Sequence, residues 1–352
     1  MFSNHILKPE RTPIEANVWG TPKSSGSFLN LYKTRLLRAV DYRSAPFEAK
    51  ADAAGVGKSF LSSAPFSGQV ETCWPELGAF KTRGIYITCG SSDITGLAGE
   101  SMDIIVTDPP FFDNVHYSEL ADFFYAWQIL YPVGFIKEGS TTRSPLEVQD
   151  TDAQNFAKKL RAVFVECNRV LKDEGILVFS YHHSRAEGWT ALVEAIFDSN
   201  FSVVNAHPVK AEMSVAAPKS QAKEPIQLDV IIVCKKRQYD NRTPLGAASG
   251  FDEVVNRAAW KLRRLSSVGI KLSKNDIRIT LVSQFVSAMG PMSSAEKAVQ
   301  LLISFQEKLE KMIASLILPL REIDVDMNEI ADESSFPQQR TFSFEWSATV
   351  KH

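Results

Sequence analysis

The stretch MDIIVTDPPFFDNVHYSEL, residues 102–120, runs an apolar strand straight into an acid, two prolines and two phenylalanines. Met102 to Thr107 has the β-branched composition of a buried strand, and the prolines end it. Proline has no N–H, so Asp108 and the Pro109 carbonyl form a stiff pair of pure acceptors. Pro110 stiffens the turn further, and Phe111 adds a flat apolar ring. In open α/β sheets, ligands bind in this position, beyond the carboxyl ends of the strands.

Outward from this stretch, strand-like and helix-like segments alternate from Gly84 onward. GIYITCG (84–90), GILVFSYHH (175–183), FSVVNAHPV (201–209) and LDVIIVCKK (228–236) read as strands, and GWTALVEAIFDSN (188–200) as an amphipathic helix. TDAQNFAKKLRAVFVECNRVLKDEG (151–175) reads as a helix capped by Thr151 or Asp152 and stopped at Gly175. The alternation predicts a parallel sheet covered on both faces, and its last two strands predict an antiparallel edge with a long loop between them.

From about residue 247 to 330 the pattern is helical, and its last segment opens on a Ser293-x-x-Glu296 capping signal. The expected organisation is a loop-rich and helical segment 1–83, a core 84–238, a helical appendage 245–330 and a mobile acidic tail 331–352. Within the first segment, LNLYKTRLLRAV (29–40) has helical spacing. GVGKS (55–59) lacks the first glycine of a phosphate loop and is expected to be a flexible loop.

Composition is that of a soluble chain: 352 residues, 44% hydrophobic and 23% charged. No run reaches the roughly 18 apolar residues that span a bilayer, and no signal peptide is visible, so a cytoplasmic location without membrane attachment is expected. Cys73, Cys89, Cys167 and Cys234 form no C-x-x-C pair, and no metal site is expected. Cys89, Cys167 and Cys234 read as buried small hydrophobes. Net charge is −2, yet residues 207–280 hold 14 Lys/Arg against 7 Asp/Glu. That imbalance is what a polyanion binder leaves, and equally what a solvated basic surface leaves.

A stiff pair of acceptors suits an –NH2 group on a heteroaromatic ring. The nitrogen lone pair of such an amine is delocalised and poorly nucleophilic. Drawing on both N–H groups favours a more tetrahedral nitrogen that can attack an electrophilic methyl. Asp-Pro-Pro-Phe after a hydrophobic strand resembles the catalytic motif of the S-adenosylmethionine-dependent amino-methyltransferases. The longer string DPPFFDNVHYSELADFFYAW (108–127) resembles the large, zinc-ribbon-containing adenine-specific DNA methylases. TPIEANVWGTPKSSGSF (12–28) and HPVKAEMSV (207–215) are similar to other segments of that family, so the likeness covers residues 12–290.

The resemblance implies a Rossmann-like α/β methyltransferase sheet, S-adenosylmethionine as cofactor, DNA as partner and a place in restriction–modification. It also implies that Asp108, Pro109, Pro110 and Phe111 hold an adenine flipped out of the helix. Phe111 departs from the family's commoner Tyr, and stacking does not need the hydroxyl.

Other residues read two ways. Asp93, in CGSSD (89–93), matches an acid that accepts from the cofactor's adenine amine, or is a turn residue. Asn114, Tyr117 and Glu119 line the base pocket, or simply open a helix. Phe123, Phe124, Tyr125 and Trp127 are core or a stacking platform, with core favoured. One of His182 and His183 faces the site, or both are satisfied structurally.

One component is missing. The family's glycine-rich F-x-G-x-G loop, which meets the methionine portion of the cofactor, is not found in the sequence. The strands correspond to the third through seventh of a seven-stranded methyltransferase sheet, so the sheet is incomplete. A second protein subunit carrying that loop is therefore expected, the chain being the catalytic half of a split or truncated enzyme. The alternatives are an RNA base amino-methyltransferase, an inactive DNA-binding or interaction module, and a protein glutamine methyltransferase, the last disfavoured because Asp rather than Asn opens the motif.

Overall fold

The computed structural model describes residues 28–52, 55–60, 70–75, 84–88, 90–112, 117–130, 139, 141–211, 226–243 and 251–321. The expectations for the tail 331–352, for Cys89 and for Asn114 lie outside them. The fold is mixed α/β, built on a four-stranded mixed sheet with many helices.

Near the N-terminus α1 (Phe28–Leu31), a π-helical turn (Tyr32–Leu36) and α2 (Leu37–Ser44) run end to end, as the spacing of LNLYKTRLLRAV predicts. The next two strands, β1 (Phe47–Asp52) and β2 (Gly55–Phe60), pair antiparallel. The expectation of a flexible loop at 55–59 is thus corrected. Phe47 and Phe60, facing each other across the hairpin with ring centroids 5.8 Å apart, hold Gly55–Phe60 in a strand. Two-residue strands β3 (Val70–Glu71) and β4 (Ile85–Tyr86) pair parallel with each other. The segment 84–90 therefore contributes a short strand, and that strand stays outside the four-stranded sheet.

That sheet comprises β5 (Met102–Thr107), β6 (Leu171–Tyr181), β7 (Phe201–Lys210) and β8 (Leu228–Lys236), in the order β5-β6-β8-β7. β5 and β6 are parallel; β8 runs antiparallel to both its neighbours. β8 thus inserts between β6 and β7 rather than extending the parallel order, as adjacent antiparallel pairing with β7 allows. The helix expected over 151–175 is α4 (Ala153–Val170), with Asp152 accepting from the Asn155 N–H at 2.8 Å. It ends before Gly175, which instead lies within β6. There a Cβ would sit 2.9 Å from the Asp103 carbonyl oxygen and 2.7 Å from Leu171 Cγ, so glycine lets β5 and β6 approach.

Alternation along the strands separates two faces. Leu177, Phe179 and Tyr181 of β6, with Val230, Ile232 and Cys234 of β8, are fully buried beneath α4 and α5 (Ala186–Asp198). Phe164 of α4 lies 5.2 Å from Phe179, and Trp189 of α5 lies 5.3 Å from Tyr181. The opposite face holds Ile104, Val106, Ile176, Val178, Ile231 and Val233, which the strand register aligns. Val106 is 75% exposed and Ile104 43%. The expectations of a buried strand 102–107 and of a sheet covered on both faces are corrected: among the described residues, helices cover one face. β5 stands at the sheet edge with its outer face in solvent.

Four helices follow: α6 (Phe251–Ser267), α7 (Lys274–Ala288), α8 (Ala295–Gln306) and α9 (Leu309–Arg321). α7 is buried on nearly every side, packs on β7 and β8, and shares one hydrophobic cluster with α4, α5 and the sheet. The helices thus extend the same core. Ser294, not Ser293, caps α8 by accepting from the Lys297 N–H, and a turn at 307–308 splits the single helix expected over 293–320 in two. A full capping box opens α7, where Ser273 and Asp276 bond reciprocally. Cys167 and Cys234 are buried, as their segments predict, and burial pushes the Cys167 thiol up to about 11.

Candidate functional site

The carboxyl ends of β5 and β6 bring Asp108, Phe111, Ser180 and His182 together on the open face of the sheet. Pairing of Thr107 with Phe179 puts Asp108 beside Ser180, and Ser180 Oγ donates to Asp108 Oδ1. That bond steers one carboxylate oxygen and leaves the other to accept from elsewhere. The Asp108 residue is exposed, Pro109 is buried, and Pro110 is partly buried. A rigid, packed support thus carries an accessible acceptor.

Phe111 packs edge-on against His182 and Tyr181, with centroids 4.6 and 5.6 Å away. Its ring is fixed by these neighbours while remaining part-exposed. His182 Nδ1 bonds Asp229 Oδ1 on β8, which orients the imidazole. Phe112 turns the other way into the core, 3% exposed, against Phe156 at 5.4 Å and His183 at 5.5 Å. It does so with a φ of +58°, an unusual conformation for an aromatic residue. The reversal after Pro110 is what sends Phe111 to the site and Phe112 into the core.

Tyr117 opens α3 (Tyr117–Leu130), and partial burial together with the Asp108 charge raises its pKa above the ordinary tyrosine value. Glu119 follows on the first turn of the helix, part-buried. The helix start is held by Glu147, whose carboxylate accepts from the Ser118 N–H at 3.2 Å. Asp122 further anchors α3 by accepting from the Thr142 N–H, both threonine hydroxyls of 141–142 and Arg143, and these donors hold its carboxyl down to about 2. Tyr125 is buried and donates to the Gly139 carbonyl, a packing role.

His183, 1% exposed, accepts from the Arg185 N–H at 3.1 Å; it is a structural residue, whereas His182 faces the site. Sequence reasoning placed the two histidines at the strand end, and strand alternation decides between them. Ser180 and Asp229 were not singled out from sequence. They are legible only through the register of β6 against β5 and β8.

Asp93 is not brought to Asp108. Its carboxylate accepts from Ser91 Oγ within its own turn. Two residues on, the Thr95 N–H and hydroxyl bond Glu166 at 2.8 and 2.6 Å, near the C-terminal end of α4. That end of α4 leads into the start of β6, opposite the end carrying Asp108. Two residues reach at most about 7 Å, whereas β5 is on the order of 20 Å long. Of its two readings, the turn residue matches the observed contacts.

Arg169 and Thr95 hold the Glu166 carboxyl down to about 2, from an ordinary value of 4.5. A carboxyl lowered in the folded state contributes stability above its unfolded value and loses it as pH falls through its folded one. Between pH 4.5 and about 2, the thermal midpoint of the wild type should therefore fall more steeply than that of Glu166→Gln. Melting curves across that range check this, and parallel slopes would contradict it.

The basic segment 207–280 is largely consumed internally. Nine of its 14 Lys/Arg have partners within the fold. Arg242 pairs with Asp240, Lys236 with Asp173, and Arg278 and Lys274 share Glu310. Six of these nine pair with a carboxylate; Arg237 and Lys261 bond carbonyl oxygens, and Arg264 lies over the Trp260 ring. Among the described residues, no group of three or more His, Cys, Asp and Glu forms a metal ligand set, and no helix is long and apolar enough to cross a membrane. No protein-family model matches the chain, and no curated protein matches it.

Proposed function

We propose that this chain is the amine-gripping half of an adenine N6 DNA methyltransferase that uses S-adenosylmethionine and is completed by a second polypeptide. The observation that carries the reading is the pairing of Asp108 with Ser180 at the carboxyl end of β5, beside the fixed ring of Phe111. In this reading Asp108 and the Pro109 carbonyl accept the two N–H bonds of the amine, and Phe111 gives the base an apolar face. Ser180 is a positioning residue that fixes one Asp108 oxygen, and His182 with Asp229 backs Phe111. The place of the motif also supports the reading: in this mixed sheet Asp108 follows the carboxyl end of a strand that runs parallel to its neighbour, where ligands bind in open α/β sheets.

The donor supplies an electrophilic methyl when bound. Among the described residues no glycine-rich cradle faces Asp108, and Asp93 stands at the far end of the sheet, so the residues present do not fit the donor. Its binding is assigned to the second polypeptide. The chain alone should accordingly bind S-adenosylmethionine weakly or not at all, and micromolar binding by calorimetry would contradict that assignment.

The test of the reaction is transfer of a tritiated methyl group by the complex isolated from its own cells. Asp108→Ala should lower transfer to duplex DNA by about 100- to 1000-fold. Unchanged transfer would instead assign the chain to a non-catalytic interaction module. A parallel arm with structured RNA separates the DNA reading from its RNA counterpart, because the paired basic residues favour neither polymer.

A further inference from the structure

Four polar side chains share the carboxyl end of the open face, and they form two hydrogen-bonded pairs. Asp108 is bonded to Ser180, and His182, the residue after β6, is bonded to Asp229 across on β8. Ser180 and His182 stand two residues apart, so both side chains leave the same face, with Cα atoms about 7 Å apart. In the function proposed above the first pair grips an amine. The second pair is given no chemical task there.

That second pair has the make-up of a base. An ionised carboxylate only accepts, so the bond from His182 to Asp229 places a proton on Nδ1 and leaves the lone pair of the neutral imidazole on Nε2. Packing against Phe111, 4.6 Å away, accounts for the ring, yet Nε2 has no hydrogen-bond partner among the described residues. The pair is also sheltered. The His182 and Asp229 side chains are 12% and 21% exposed, so Asp229 holds an imidazolium with little screening.

A grip on an amine creates a need for such a base. A nitrogen that gains a methyl becomes cationic and must shed a proton. The Pro109 carbonyl cannot keep that proton, and Asp108 must be ionised again before it grips the next amine. We infer that Ser180, His182 and Asp229 form a relay that carries this proton away from Asp108. The N–H bond held by Asp108 breaks, its electron pair stays on nitrogen, and the proton passes to the carboxylate. The protonated carboxyl is now a donor, so the Ser180 hydroxyl turns to accept from it and gives its own proton towards Nε2. One water spans what the two side chains leave of the gap. The imidazolium, held by Asp229, then releases the proton to solvent. The relay rests on the function proposed above, to which it adds the route of the proton.

Other titratable groups lie close by. His207 on β7 shares the row of Ser180 through Ile231, and burial and then the Lys261 charge lower its pKa. Tyr117, raised by burial and then by Asp108, opens α3. A pH profile alone therefore does not single out His182, and chemical rescue does.

The test is tritiated methyl transfer to duplex DNA by the complex isolated from its own cells, with substitutions in this chain. His182→Ala should lower kcat about 100-fold at unchanged KM for DNA, and added imidazole should restore it in proportion to its free base. Asp229→Asn should also lower kcat, without response to imidazole, because the amide lets the ring take the other tautomer. A His182→Ala complex as active as the wild type, or one that imidazole does not restore, would overturn the relay. Nitrogen NMR of the isolated chain, assigned by the signal lost in His182→Gln, should show neutral His182 protonated on Nδ1. Protonation on Nε2 would overturn the relay however the variants fold. A wild-type complex that methylates neither DNA nor RNA removes the proposed function and the relay together, whereas an active wild type with an indifferent His182→Ala removes the relay alone.

Discussion

Asp276→Ala should lower the unfolding free energy by about 4 kcal/mol, a large part of the 5–15 kcal/mol typical of a folded domain. Asp276 is fully buried at the first turn of α7. Its Oδ1 accepts from the N–H groups of Gln227 and Leu228 at 2.8 and 3.0 Å, and Oδ2 from the Ser273 N–H at 2.7 Å. One carboxylate thus ties the start of β8 to the N-terminus of the most buried helix. Truncation leaves the Gln227 and Leu228 N–H groups without acceptors, costing about 1–3 kcal/mol each, and removes half of a capping box worth about 1 kcal/mol. Asp276→Asn should be intermediate, because an amide cannot accept on both sides. Urea unfolding checks the ranking: the midpoint should fall at unchanged slope, and an alanine variant within 1 kcal/mol of wild type, on the order of one hydrogen bond, would refute the argument.

Gly188→Ala should destabilise the fold by about 3 kcal/mol, the upper range for overpacking, although a lone methyl is all that is added. A Cβ at Gly188 would lie 2.5 Å from His183 Cγ, 2.6 Å from His183 Nδ1 and 3.0 Å from the Tyr181 hydroxyl. None of these groups can yield cheaply. Tyr181 donates to the Gly188 carbonyl at 2.8 Å, and the Trp189 indole donates to the His183 carbonyl at 2.8 Å. His183 also packs on Phe112, whose positive φ sets the turn that sends Phe111 to the site. Displacing His183 should therefore loosen the turn after Pro110 as well as the core. Near-ultraviolet dichroism of Trp189 together with denaturant unfolding reads both effects. His183→Ala in the same chain opens space for the methyl and should recover part of the loss; strict additivity of the two substitutions would refute the clash.

These two positions also show where sequence reading reaches its limit. Asp276 looks from sequence like any acid near a helix start, and Gly188 like any glycine opening a helix. Their importance comes from contacts 48 residues away in one case and from an imidazole packed beneath α5 in the other. The same limit applies to the site: His182 and Ser180 were reachable by alternation once β6 was recognised, but Asp229 needed the antiparallel register.

The sequence by itself determined the element types over most of the described chain, because apolar periodicity and the Asp-Pro-Pro break are local properties of consecutive residues. It also determined that Asp108, Pro109, Pro110 and Phe111 leave a strand together as acceptors and a ring. Only the tertiary structure decided that β8 returns antiparallel between β6 and β7, that α6 to α9 share the core of the sheet, and that most of the basic residues of 207–280 are spent on internal partners. Strand order and charge pairing join residues tens of positions apart, and no local pattern encodes which distant group will answer. For the same reason Ile104 and Val106 read as core in the sequence. In the fold they lie at an edge, because the layer that would bury them is not among the described residues of this chain.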